Sequence, residues 1–157
     1  MFFHSPTRGK LTLEQVVDDI LEYINEDHSY QYKLIVGSDS QSRESACCFV
    51  SAIILHRVGK GARYYYNRRY DRRITSLRQR IFYEASLSLD LADQLLQCMT
   101  IKGQEAMKVE IHLDVGTHGE TKELVKDIIG MVVGSGFDAC IKPYSCGASK
   151  VADRYTK

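Results

Sequence analysis

The sequence predicts a single α/β domain built on a five-stranded mixed sheet. Three short runs rich in β-branched and aromatic residues follow one another closely in the first half of the chain, which is typical of an antiparallel meander. In the second half strands alternate with helices, which favours parallel strands joined by crossover helices. The length of 157 residues fits one domain, because a chain near this size buries roughly 70% of its unfolded surface.

An amphipathic helix precedes the strands. Thr12 and Gln15 have the spacing of a capping box, and apolar residues recur behind them at helical spacing up to a predicted end near Asp27. We expect residues 1–30 to form an N-terminal helical extension and residues 31–157 to form the core of the single domain. The first three strands of that core are predicted at residues 33–36, 47–55 and 63–66.

The remaining elements alternate between helix and strand. A long helix is expected first, because apolar residues recur at spacings of three and four over about seven turns. The later elements are predicted as helices at 75–99, 121–133 and 148–156 and as strands at 109–115 and 139–142. The core order is therefore β-β-β-α-β-α-β-α, with one extra helix in front of it.

Composition excludes several classes of protein. Apolar residues make up 44% and charged residues 26% of the chain, which is close to a soluble globular domain and unlike a disordered or collagen-like chain. No apolar run approaches the roughly 18 residues that span a bilayer, and no secretory signal is evident, so we expect a cytoplasmic protein without a membrane partner. Five cysteines do not suggest a disulfide framework, and Cys98, Cys140 and Cys146 lack metal-ligand spacing.

A basic and aromatic segment extends from His56 to Arg80. It holds nine Lys or Arg residues and one acidic residue, a net charge of +8, so the rest of the chain sums to −7. Guanidinium groups interleaved with tyrosine rings suit phosphate contacts and base stacking. The alternative is a solvated face paired with the acidic remainder. The candidate substrate-binding residues are Arg63, Tyr64, Tyr66, Arg68, Arg69, Arg72 and Arg73.

Four carboxylates are the chemical signal of the sequence. Asp39 and Asp114 each end an apolar strand, Glu84 lies on the apolar stripe of the long helix, and Asp153 lies in the final segment. A buried carboxylate is costly unless it is paired, protonated or bound to a metal, and oxygen ligands favour Mg²⁺ or Mn²⁺. Each residue also has an ordinary alternative, such as a turn after a strand or an ion pair on a helix surface.

Several neighbouring residues are auxiliary candidates. Ser40 and Gln41 are placed to orient Asp39, and His118 is placed to assist proton transfer. Thr121 and Lys122 lie at a predicted helix N-terminus, where backbone N–H groups can hold a phosphate. Capping is the alternative role for Thr121, and the loop before it does not have the Walker spacing.

Five segments of the chain match one protein family. They are MFF at the start, LIVGSDSQ at 34–41, HRVGKGARYYY at 56–66, HLDVGTHGETKEL at 112–124 and VADRYTK at 151–157. Over its whole length the sequence resembles the YkuK-type family of predicted ribonuclease H-like proteins. In the ribonuclease H-like fold, acidic residues come from the first strand, the following helix, the fourth strand and the last helix. These positions correspond here to Asp39, Glu84, Asp114 and Asp153.

The resemblance implies a nuclease that hydrolyses phosphodiester bonds in RNA, RNA–DNA hybrid or structured DNA. Two Mg²⁺ or Mn²⁺ ions about 4 Å apart would share the substrate phosphate. Asp39 is then expected to bridge both ions. Glu84 and Asp114 would complete one site, and Asp153 the other. One departure is Ser40, because a glycine commonly follows this aspartate in ribonucleases H.

Two other functions fit the same resemblance. One is a nucleic-acid-binding module that keeps the fold without catalysis. The other is a phosphotransferase or hydrolase of a small phosphorylated molecule, although nucleotide-binding relatives usually need two such domains. Exposed sheet edges allow a dimer, and the sequence does not specify the oligomeric state.

Overall fold

The computed structural model describes residues 1–42, 46–72, 74, 76–104, 107–115, 122–141, 151 and 154–156. These residues form seven strands and three helices. The strands are β1 (Phe2–Ser5), β2 (Gly9–Thr12), β3 (Tyr32–Ser42), β4 (Cys47–Arg57), β5 (Gly61–Asp71), β6 (Val109–His112) and β7 (Asp138–Cys140). The helices are α1 (Leu13–Glu26), α2 (Leu77–Ile101) and α3 (Lys122–Gly134). Val151 and residues 154–156 also have helical backbone.

The strands form one mixed sheet in the order β2-β1-β5-β4-β3-β6-β7. The pairs from β2 to β3 are antiparallel, whereas β6 pairs parallel to both β3 and β7. The mixed sheet, with a meander followed by crossover connections, is as predicted. The predicted number of five strands is wrong, because the described part of the chain contributes seven.

The two additional strands form a hairpin ahead of α1. Phe3 is fully buried in the core, and His4 pairs with Tyr66 of β5, so the hairpin extends the meander edge. Ser5 Oγ accepts hydrogen bonds from two backbone N–H groups of the turn, and Gly9 has φ +73°. Strands of four residues carry too little period-two pattern to be recognised in sequence, which is why this segment was predicted only as a helical extension.

Strand β3 continues further than its sequence suggests. The polar residues after Val36 predict a turn, yet β3 pairs with β4 at every position from Tyr32 to Ser42. Asp39 therefore lies within the strand, opposite Val50, and not at its end. A long antiparallel partner supplies the hydrogen bonds that keep a polar sequence extended, and local turn propensity is overridden.

The sheet has two different faces. We call the face covered by the three helices the helix face; Leu34 and Val36 of β3 lie in its large core cluster with residues of α1, α2 and α3. On the opposite face, Ile35 packs in a small cluster that includes Val151, and Val50 packs in another that includes Tyr155. Val151 and Tyr155 therefore contact the face of the sheet opposite the helix face.

The helices begin as the sequence predicts. Thr12 and Gln15 form the capping box of α1, and Asp27 is its C-cap. Ser76 caps α2 by accepting a hydrogen bond from the backbone of Gln79. Among the described residues, no helix combines the length and the apolar character needed to cross a membrane.

Helix α1 is joined to the sheet by a buried carboxylate. Asp19 is only 6% exposed and lies 2.9 Å from Arg63 Nη1 and 3.1 Å from Arg8 Nε. Its second oxygen accepts a hydrogen bond from the Tyr65 hydroxyl. A buried charge with this many partners is satisfied, and removing it breaks two ion pairs and leaves a buried hydroxyl without its acceptor.

We expect Asp19→Ala to lower the free energy of unfolding by about 3 kcal/mol, because breaking a buried ion pair costs roughly that much. Urea unfolding followed by circular dichroism measures the change. Asp18→Ala is the matched control, because Asp18 is mostly exposed and pairs only with Lys102 among the described residues. The control should lose much less stability. Equal losses in the two variants would contradict the assigned role of Asp19.

Candidate functional site

Four serines and a glutamate connect α2 to the central strands. Ser38 Oγ lies 2.8 Å from Ser51 Oγ of β4 and accepts a hydrogen bond of 2.9 Å from Ser88 of α2. Two residues further along β3, Ser40 donates a hydrogen bond of 2.6 Å to Glu84 Oε2. These contacts set the distance between helix and strand, so the Glu84 carboxyl is held at the level of Ser40.

The parallel pairing of β3 and β6 places two aspartates at the level of this carboxyl along the sheet. The last pair of that register joins Gly37 to His112. Asp39 and Asp114 each follow two residues later along strands that run in the same direction. Both aspartates therefore lie just beyond the paired stretch of β3 and β6, at the same level of the sheet. The backbone of two strands and one helix thus delivers three of the four carboxylates predicted from the sequence.

The pKa of Glu84 reflects its burial and the nearby aspartates. Burial of its carboxyl raises the pKa of Glu84 to about 8, and the nearby charges of Asp39 and Asp114 raise it as well. The hydrogen bond from Ser40 and the positive charge of Arg80 lower the pKa but do not compensate. In the absence of a cation, this site therefore disfavours a third negative charge.

The donor set fits a hard divalent cation. Carboxylate and hydroxyl oxygens are the ligands that Mg²⁺ and Mn²⁺ prefer, and a cation would offset the repulsion that keeps Glu84 protonated. Asp153, the fourth predicted ligand, lies outside the described residues. Val151 and Tyr155, on either side of it in sequence, both contact the opposite face of the sheet, the face toward which alternation directs Asp39.

The basic and aromatic segment is divided between the two faces because it forms strand β5. Tyr64 and Tyr66 lie on the opposite face but are covered: the Tyr64 hydroxyl is 2.7 Å from that of Tyr155, and the ring of Tyr66 stacks on that of Tyr155 with centroids 3.6 Å apart. Arg63 lies on the helix face, paired with Asp19. These three predicted substrate-binding side chains are engaged within the protein.

The remaining predicted substrate contacts are more exposed. Arg68 lies on the opposite face and donates through Nε to the Tyr155 carbonyl oxygen at 2.9 Å. Arg69 lies on the helix face, with Nη1 3.3 Å from the Tyr83 hydroxyl. Arg72 is exposed just after β5, and Arg73 lies outside the described residues.

The auxiliary candidates also separate. Ser40 contacts Glu84 directly, and Gln41 is exposed on β3, two residues beyond Asp39. Lys122 is exposed at the first residue of α3. His118 and Thr121 lie outside the described residues.

Two features of the site region escaped sequence reasoning. Tyr155 organises the opposite face, but a single tyrosine in a short terminal segment carries no periodic signal. Cys140 lies against Glu110, with Sγ 3.1 Å from Oε1, although the two are 30 residues apart. Only the parallel pairing of β6 with β7 brings them together.

Two comparisons with known proteins bear on the family of this chain. The model of a family described as ribonuclease H-like matches residues 15–157. A Bacillus subtilis (strain 168) protein named "Uncharacterized protein YkuK" is 32% identical, with 99% of this chain and 96% of the relative covered. The chain belongs to the YkuK-type ribonuclease H-like family. The resemblance found in the sequence segments is thereby confirmed, and the mixed α/β architecture fits a ribonuclease H-like fold.

The raised pKa of Glu84 predicts a pH-dependent stability for this ribonuclease H-like protein. The unfolded chain releases the proton near the ordinary value of 4.5, whereas the folded chain holds it up to about pH 8. The folded state binds more protons in this interval, so the contribution is complete below pH 4.5 and is lost as the pH rises to about 8. Urea midpoints measured in a chelator at pH 5 and pH 8 should show the loss.

Glu84→Gln should make this loss smaller, because the neutral amide has no proton to release. Asp93→Asn, on an exposed position of the same helix, is the control and should follow the wild type. A Glu84→Gln variant with an unchanged pH dependence would contradict the assigned protonation.

Proposed function

We propose that this protein is a metal-dependent nuclease that hydrolyses phosphodiester bonds in RNA, RNA–DNA hybrid or structured DNA. The proposed ligands of two Mg²⁺ or Mn²⁺ ions are Asp39, Glu84, Asp114 and Asp153. The observation that carries the proposal is that the buried Glu84 carboxyl lies close enough to Asp39 and Asp114 for both charges to raise its pKa. Carboxylates that repel one another at the end of a strand pair destabilise the fold, and a bound cation would offset that repulsion.

Each described residue has a separate part in this proposal. Asp39 and Asp114 supply oxygen ligands from adjacent parallel strands, and Glu84 supplies one from the helix above them. Ser40 orients the Glu84 carboxyl and, through its hydrogen bond, lowers the pKa of that group. The chemistry supplied by bound divalent ions is Lewis-acid polarisation of the phosphoryl group and a water of lowered pKa.

A substrate surface is proposed on the opposite face of the sheet. Asp39, Val50 and Arg68 are in register across three neighbouring strands, so their side chains share one face. Two strand spacings separate Asp39 from Arg68, which is about 10 Å. Tyr70, the next residue of β5 on that face, is 62% exposed. A nucleic-acid backbone that crosses the strands would therefore contact the carboxylates and a cationic, aromatic edge.

Removal of one carboxylate charge should stop cleavage. We expect Asp39→Asn to lower the rate by at least about a hundredfold, because even groups that only support a metal ligand are worth about 10- to 100-fold. The assay incubates the purified chain with labelled RNA, RNA–DNA hybrid and branched DNA in Mg²⁺, Mn²⁺ or chelator. Asp90→Asn, an exposed carboxylate on α2, is the control and should keep full activity.

The same assay separates the other two functions. Metal-independent binding without cleavage of any polynucleotide would replace the nuclease with a binding module. Hydrolysis of a nucleotide without polynucleotide cleavage would point to an enzyme of small phosphorylated molecules.

Neighbouring arginines on β5 test the proposed substrate surface. Arg68→Gln should weaken binding of single-stranded nucleic acid and reduce the slope of log affinity against log salt by about one, because one phosphate contact is lost. Arg69→Gln removes the same charge from the helix face and should leave the slope unchanged. Arg68→Lys should restore most of the slope. Fluorescence anisotropy in a chelator measures binding without cleavage, and equal effects of the two Gln variants would refute the surface.

A further inference from the structure

We propose that Glu110, His112 and Cys140 form a second metal site that takes a borderline divalent ion of the Zn²⁺ type. It lies where β6 pairs with β7, and its donor set differs from the carboxylates proposed for nucleic-acid cleavage. One candidate ligand atom from each residue lies within 4.8 Å of the other two. The site is independent of the proposed nuclease activity and stands or falls by its own measurements.

The first observation behind this site is an unsatisfied buried histidine. His112 is only 6% exposed, and neither ring nitrogen has a hydrogen-bond partner among the described residues. Its Nε2 lies 3.7 Å from Glu110 Oε1, which is too long for a hydrogen bond. Buried polar atoms are nearly always satisfied, so this imidazole is suited to a partner beyond the described side chains. Histidine is the commonest metal ligand among protein side chains and binds as the neutral imidazole, so a metal ion fits this position.

The second observation is the spacing of the donor atoms. Zinc ligands lie about 2.0–2.3 Å from the ion, so a tetrahedral arrangement separates neighbouring ligand atoms by about 3.5 Å. The distances from Glu110 Oε1 are 3.1 Å to Cys140 Sγ and 3.7 Å to His112 Nε2. Both lie within a few tenths of an ångström of that value. Lys33 Nζ approaches the other carboxylate oxygen of Glu110, at 3.6 Å, which leaves Oε1 for the ion.

The backbone holds the three residues in place. His112 and Cys140 are direct partners in the parallel register of β6 and β7, and Leu113 N donates to the Cys140 carbonyl oxygen at 2.8 Å just beyond that pair. Glu110 and His112 are two residues apart on β6, so their side chains lie on the same face of the sheet. A donor set carried by two paired strands needs little rearrangement to close around an ion.

The chemistry of the donors selects the ion. A thiolate and an imidazole favour Zn²⁺ over Mg²⁺ or Mn²⁺, which prefer oxygen. Cys140 is a free thiol that donates to Glu110. On binding, its proton is released to solvent and its sulfur becomes the ligand. Three protein ligands leave one coordination position for water or for a further group.

Cobalt titration of the metal-free protein tests the proposal. The wild type should bind Co²⁺ with a near-ultraviolet thiolate charge-transfer band, which Zn²⁺ then abolishes by displacing the cobalt. Cys140→Ser should lose the band, whereas the matched control Cys98→Ser, a half-buried cysteine of α2, should keep it. Zn²⁺ should raise the Tm of the wild type and of Cys98→Ser but not that of Cys140→Ser, since only the folded site binds the ion.

Further variants keep the test decisive. Glu110→Gln should weaken Zn²⁺ binding and keep the thiolate band at saturating Co²⁺. This variant tests a second ligand without replacing the buried His112, whose substitution could prevent folding. Asp39→Asn should keep the band in full, so loss of the nuclease and loss of this site are told apart. Cobalt binding without a thiolate band in the wild type, or a band unchanged in Cys140→Ser, would overturn the proposal.

Discussion

The attachment of α2 to β3 is the contact on which the candidate site depends. Ser38 joins the strand to both β4 and the helix, and Ser40 reaches Glu84 one step further along. Because each hydrogen bond is short and at least partly shielded from water, helix and strand have little freedom to slide past each other. Glu84 is thereby held in a buried position within range of two aspartates, and burial together with their negative charges raises the pKa of its carboxyl.

Strand alternation explains how one strand serves two purposes. Even-numbered residues of β3 turn to the helices and complete the core, while odd-numbered ones turn to the face that Val151 and Tyr155 contact. The same rule acts on β5, where it sends Arg63 to the buried Asp19 and Arg68 to the opposite face. A basic segment that is uniform in sequence is therefore divided between a buried ion pair and an exposed surface.

Much of the fold could be predicted because its signals are local. The capping box at Thr12, the apolar stripe of α2 and the alternation of strands and helices all depend on residues close in sequence. The hairpin before α1 and the full length of β3 could not, because pairing with β5 and β4 supplies what local propensity lacks. For the site, Asp39, Glu84 and Asp114 were predicted, whereas the engagement of Tyr64 and Tyr66 by Tyr155 was not.

The sequence by itself determined the family and the mixed α/β architecture, since both follow from motifs and periodicity along the chain, and it supplied the four carboxylates of the proposed site as a prediction. Only the tertiary structure decided which of these side chains lie close to one another. Asp39 and Asp114 lie level because β3 and β6 run parallel, and Cys140, without metal spacing in sequence, comes beside His112 because β6 pairs with β7. The hydrogen-bonded register between segments that are distant in sequence sets these distances, and that register cannot be deduced from the spacing of residues along the chain.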